Sequence, residues 1–105
     1  MIHVVAMLTT QPGQRVKVLQ AFNANAVTVR QEEGCIEYVA TIDAQGLPAS
    51  PGTVGDDTFV VVEKWASLDA LKAHGAAPHM RAYAASVKEL MAQRVIHILE
   101  PAPGA

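Results

Sequence analysis

The first nine residues after the initiator carry apolar side chains on both alternating sides. Ile2, Val4, Ala6 and Leu8 form one set; Val5 and Met7, flanked by His3 and Thr9, form the other. A strand that is apolar on both faces has to be covered on both. Helices cover one face, and the other calls for a partner. Gln11-Pro12-Gly13-Gln14 reads as a turn. A helix is predicted over 14–31, with Val16, Leu19, Phe22, Ala26 and Val29 as its apolar stripe. Gly34 ends it. Strands follow over 35–42 and 58–65, the second centred on Val60, Val61 and Val62. Between them, 43–57 is polar and rich in Gly and Pro. Hairpin loops usually have about 2–5 residues, so this connection is expected to be either functional or disordered. Ser67 is a candidate N-cap and Asp69 suits a helix start. That helix carries Leu68 and Leu71 and should break or kink at Pro78, which lacks a backbone donor. A further helical segment carries Met80, Tyr83, Val87 and Leu90, a last strand spans 94–100, and 101–105 is a tail.

The predicted order, βαββαβ, is that of a ferredoxin-like α+β domain: one four-stranded antiparallel sheet with helices on one face. Residues 1–105 read as a single domain, the size one small core supports. The bare sheet face, with 50% hydrophobic residues overall, predicts a homodimer packed sheet to sheet. An Ala- and Val-rich core is the alternative account of that composition.

Charge narrows the field further. Eight basic and ten acidic residues give a net charge of −2, which offers no basic field for nucleic acid. A single cysteine, Cys35, cannot form an internal disulfide, so a reducing, cytoplasmic setting is expected. The opening MIHVVAMLTTQ reads as a strand rather than a cleaved leader. No apolar run reaches the roughly 18–20 residues that would span a bilayer. Gly-rich dinucleotide loops, phosphate-cradling loops and nucleophile elbows have no counterpart here, so no cofactor is expected.

Several blocks together resemble the antibiotic biosynthesis monooxygenase domain family. They are Gly34-Cys35-Ile36-Glu37-Tyr38 after the first helix, Glu63-x-Trp65 leading to His74, and Pro78-His79-Met80. With the opening strand and Pro12-Gly13, the resemblance spans about residues 2–100. It implies a dimeric α+β barrel and, in some members, oxidation of phenols or hydroquinones to quinones by O2 without metal or flavin. The resemblance also includes a haem-degrading branch that uses an asparagine on strand 1, a tryptophan after strand 3 and a histidine on the last helix. Here those positions fall at or near Ala6, at Trp65, and near Tyr83 or Ala84. Two of the three groups are missing, which disfavours haem degradation. Connection 43–57 is also longer than the family's usual hairpin.

Oxygen reacts far faster with a phenolate than with a phenol, and an unperturbed phenol ionises only at about pH 10. A cofactor-free oxygenase therefore needs a general base, a polar group for the anion and an apolar pocket for the ring. Histidine suits the base. His79, at a helix start where the dipole favours an uncharged ring, and His74, at the preceding helix end, are the candidates; each could also be a solvated or capping histidine. On one continuous helix they would lie about 140° apart, but a break at Pro78 could bring them together. No metal site is expected, because no further Cys or His pair supports them.

Trp65, Tyr83, Met80 and Phe22 are the candidate substrate-binding residues. Trp65 reads equally as a core residue sealing a strand-to-helix corner, and the Tyr83 hydroxyl as a donor to a backbone carbonyl. Arg81 could pair an anionic product or simply be solvated. Glu63, among valines, is expected to ion-pair with Arg15, Arg30 or Arg94. His3 is expected on the dimer side, and Cys35 reads as a small buried hydrophobe. The sequence thus predicts a monooxygenase acting on a small phenolic or quinol substrate with O2. A non-catalytic dimeric binding module and an isomerase on the same scaffold are the rivals.

Overall fold

The structure, a computed structural model, describes residues 1–47 and 52–104. Part of the 43–57 connection, residues 48–51, therefore lies outside the described residues. Strand β1 (Ile2–Thr10) is followed by helix α1 (Arg15–Val29), then strands β2 (Cys35–Thr41) and β3 (Thr58–Trp65). Helices α2 (Leu68–Ala76) and α3 (Pro78–Val87) come next. A 3-10 turn at Lys88–Leu90 leads into strand β4 (Met91–Leu99). The sheet has the order β2-β3-β1-β4 and every pairing is antiparallel. The ferredoxin-like α+β architecture is thus the one expected.

Side chains alternate across a strand, and the register fixes which residues share a face. Val4, Ala6 and Leu8 on β1 lie with Phe59, Val61, Glu63 and Trp65 on β3 and with Tyr38 on β2. This is the face the helices cover. Val18, Phe22, Ala26 and Val29 of α1 are buried against it, each at 2% exposure or less. Burying one such Val or Phe contributes roughly 1.5–3 kcal/mol. The expected stripe on α1 needs one correction. Val16 is 68% exposed, and Val18 takes its place, because the buried row runs in steps of four from Val18 to Phe22 to Ala26 and then to Val29.

The opposite face carries Val5 and Met7, Val60 and Val62, Val39, Val95, His97 and Leu99. His3 stands opposite Leu99, and His97 opposite Val5, so both histidines lie on this open side. Strand β4 is exposed on both faces, with Val95 and Leu99 on one and Ile96 and Ile98 on the other. It also begins three residues earlier than expected, since Met91 pairs with Thr10 of β1.

Two local features place the site. Ser67 Oγ accepts from the Ala70 amide and starts α2. Ala77, with φ −66° and ψ 137°, separates α2 from α3, as the proline after it requires. The chain leaves α1 through hydrogen-bonded turns, Gln31 N to Thr28 O and Glu32 N to Val29 O. It then reaches Gly34 at φ +82°, where a Cβ would stand 2.6 Å from Ala70 Cβ. Glycine at this position lets the turn that carries Glu32 lie directly on α2.

Candidate active site

Between the helix-covered face of the sheet and α2–α3 lies a cavity of about 860 Å3. Its floor is formed by Val4, Ala6, Leu8 and Val61, and its inner wall by Phe22, Tyr38, Glu63 and His74. Met80 and Tyr83 of α3 close it from the helix side. Phe22 sits at the centre of an aromatic cluster. It stacks on Tyr38 at 5.1 Å and meets Phe59 and Tyr83 edge-on at 5.9 and 6.2 Å.

His74 is one of the buried ionisable groups of this wall, with Glu63. Its Nδ1 lies 2.9 Å from Glu32 Oε2. A carboxylate only accepts, so this contact places the ring hydrogen on Nδ1. No hydrogen bond among the described residues engages Nε2, and none of their side-chain nitrogens or oxygens is both buried and unpartnered. His74 Nε2 is thus left without a protein partner on a side chain that lines the cavity. Trp65 lies against the imidazole at 4.6 Å between ring centroids, and Tyr38 meets it edge-on at 5.4 Å. Carboxylate, indole and phenol together fix the ring in three directions.

His79 reaches the same carboxylate oxygen, with Nε2 3.1 Å from Glu32 Oε2. The break before Pro78 thus brings the two histidines together on one acceptor, but they are not equivalent. His74 lines the cavity and His79 does not. Glu32 has no counterpart among the residues singled out in the sequence. Its one local signal is an acid just past the end of α1, where the helix dipole disfavours negative charge. That position calls for some other partner.

Trp65 is fully buried and is not part of the cavity lining. Its Nε1 donates to Glu63 Oε1 at 2.9 Å. This corrects the expected pairing of Glu63 with an arginine. Arg15 is used on the carbonyls of Gly55 and Thr58, and Arg30 on that of Tyr38. Burial raises the Glu63 carboxyl pKa above its ordinary value. The Trp65 hydrogen bond and nearby His74 oppose that shift, and Glu32 adds to it. The wall thus holds an open imidazole nitrogen and a carboxyl pushed toward its neutral form, joined through Trp65.

The remaining candidates fall where the cavity needs them. Phe22, Met80 and Tyr83 line it, as do Ala6 and Ala84, the positions where the haem-degrading branch would place polar groups. Burial raises the Tyr83 phenol pKa, against the pull of Arg94. Burial also pushes the Tyr38 phenol well above the usual range. Arg81 stands exposed at the cavity mouth. Cys35 is half-buried against the core, and burial raises its thiol pKa. Among the described residues no group of three or more His, Cys, Asp or Glu is arranged to hold a metal ion, and no helix is long and apolar enough to cross a membrane.

The chain thus combines a ferredoxin-like sheet with an aromatic-lined cavity and one buried histidine held by a carboxylate. The fold is that of a known family of small α+β proteins. The pattern of the family described as antibiotic biosynthesis monooxygenase matches residues 1–86, and the chain belongs to that family of monooxygenases. A relative from Escherichia coli K12, described as the probable quinol monooxygenase YgiN, is 39% identical over 104 residues. That alignment covers 96% of this chain and 98% of the relative. The solved structure of Rv0793 from Mycobacterium tuberculosis superposes with a TM-score of 0.78 at 27% identity, covering 99% of this chain and 97% of that one. An antibiotic biosynthesis monooxygenase candidate from Caulobacter crescentus superposes at 0.80 with 30% identity, covering 96% and 89%.

Proposed function

We propose that the chain is a cofactor-independent monooxygenase that oxidises a quinol or phenolic aromatic with O2 inside the cavity between the sheet and α2–α3. The observation that carries this reading is His74, a lining residue of the cavity whose Nδ1 is held by Glu32 at 2.9 Å and whose Nε2 has no hydrogen-bond partner among the described residues. The volume of about 860 Å3 is ample for a bicyclic or larger ring system. Phe22, Tyr38 and Tyr83 supply aromatic surface for it.

His74 Nε2 removes the hydroxyl proton, and Glu32 stabilises the imidazolium that results. The phenolate gives an electron to O2, and the resulting pair combines at a ring carbon as a peroxide. Loss of the hydrogen on that carbon, with cleavage of the O–O bond, leaves a ring carbonyl and releases water. One oxygen atom enters the product and the other leaves as water. The two protons of that water are the hydroxyl proton held on His74 and the ring hydrogen lost as a proton, which Glu63 on the same wall can relay to the departing oxygen. The homodimer belongs to the same reading: the apolar open face of Val5, Met7, Val60, Val62 and Leu99 supports sheet-to-sheet pairing.

The test is oxygen uptake by metal-free, flavin-free protein on hydroquinones and polycyclic phenols, with autoxidation subtracted. Uptake that scales with protein, yields quinone and is lost in His74→Ala is the expected result. Binding without uptake would instead indicate a non-catalytic module, and a product of unchanged mass an isomerase.

A further inference from the structure

The charges around the cavity are strongly one-sided. The chain has eight Lys and Arg and ten Asp and Glu. Lys72, Arg81, Lys88 and Arg94, half of the cations, line this one cavity, whereas Glu63 is the one acid that does. The four cations come from α2, α3, the 3-10 turn and β4, so they reach the cavity from four successive elements rather than from one helix. All four are exposed. The ion pairs among the described residues are Lys64–Glu37 and the two histidine contacts of Glu32, so none involves this ring. Arg81 has one hydrogen bond among the described residues, to the Ala76 carbonyl at 3.3 Å. The charge of Arg94 is felt inward, since it opposes the rise of the Tyr83 phenol pKa. Four like charges around an apolar funnel repel one another unless an anion sits among them, and they raise the local concentration of anionic ligands.

We propose that the physiological ligand is an aromatic bearing an oxyanion, a carboxylate in the first instance, whose ring packs in the cavity against Phe22 and Tyr83 while its anionic end stays at the mouth on Arg81, Lys88, Arg94 and Lys72. This rests on the cavity being the substrate site, and it names the substrate class for that site. The two arginines present planar forks that match a carboxylate. The anchored anion also sets the orientation: the opposite, hydroxylated end points down the cavity toward His74 and Glu63.

The test is calorimetric binding under argon, so that affinity is read without turnover. The probes are 6-hydroxy-2-naphthoate and its methyl ester, which share ring and hydroxyl and differ in charge. The acid should bind at least about tenfold more tightly, as one charge-assisted contact allows. That ratio should shrink with added salt and approach one in the Arg81→Gln/Arg94→Gln variant. Equal binding of acid and ester, failure of both to bind, or a ratio unmoved in K72Q/R81Q/K88Q/R94Q would overturn the proposal. Oxygen uptake on a neutral quinol with equal binding of acid and ester would sink the anion site alone. A clear acid preference without uptake on any quinol would sink the oxygenase reading and leave the anion site standing.

Discussion

Removing the Glu32 carboxylate is expected to disable the site without dismantling it. Glu32 Oε2 accepts from His74 Nδ1 at 2.9 Å and from His79 Nε2 at 3.1 Å. In Glu32→Ala, His74 keeps its contacts with Trp65 and Tyr38, so the ring stays near its place. What it loses is the acceptor that fixes its tautomer and the negative charge that stabilises its protonated form after proton uptake. At 4 Å and an effective dielectric of 20, opposite unit charges attract by about 4 kcal/mol. Partial exposure of Glu32 reduces that to roughly 2–3 kcal/mol, equivalent to about 30- to 160-fold in rate. Glu32→Gln keeps an oxygen acceptor but no charge, so its loss should be intermediate. The measurement is kcat/KM from oxygen uptake on a hydroquinone, with thermal melts confirming that each variant is folded. A Glu32→Ala protein within about threefold of the unaltered one, alongside an inactive His74→Ala, would refute the argument and leave ring packing as the sole positioning device.

Gly34→Ala places a Cβ 2.6 Å from Ala70 Cβ at φ +82°. The backbone term alone costs about 1–2 kcal/mol, so urea denaturation should show a loss at least that large, together with reduced activity as Glu32 shifts. Glu63 carries a carboxyl pKa raised in the fold from an ordinary value of 4.5. The folded state then holds that proton longer than the unfolded chain, so stability falls as pH rises from the unfolded value to the folded one. Glu63→Gln should remove that part of the slope in denaturation followed across pH. Val62→Asp puts a charge at the centre of the open face and should yield monomer in sedimentation, with the proposed dimer persisting in the unaltered protein. Asp43 accepts from the amides of Val54 and Gly55, both at 2.9 Å, which lowers its own pKa. Asp43→Ala should speed hydrogen exchange at those two amides.

What could be read in advance was whatever depends on neighbours in sequence. The bounds of β1 and β3 follow from valine-rich alternation, and the end of α1 from Gly34. The N-cap at Ser67 and the break at Pro78 follow from backbone chemistry. The choice of Val18 over Val16 depended on how α1 rolls onto the sheet, which helical spacing alone leaves open by half a turn. The early start of β4 depended on pairing with Thr10 across the sheet. The site shows the same division. His74, Tyr83, Met80 and Phe22 were accessible as residue types on apolar stripes. Glu32 was not, because its contacts bridge 42 and 47 positions and arise only when the turn after α1 docks on α2. Trp65 had two readings, substrate contact or a core residue sealing the strand-to-helix corner; it is buried against His74, and Phe22 and Tyr38 line the cavity instead.

That tryptophan is the only one in the chain, and it is fully buried with its indole nitrogen on Glu63 and its ring on His74. Its emission consequently arises from one place, the junction of Glu63 and His74. Any event that changes the charge of either group, or that fills the space in front of them, alters the surroundings of that single emitter. The protein carries its own optical reporter of occupancy and proton state, with no label to add and no second tryptophan to blur the signal.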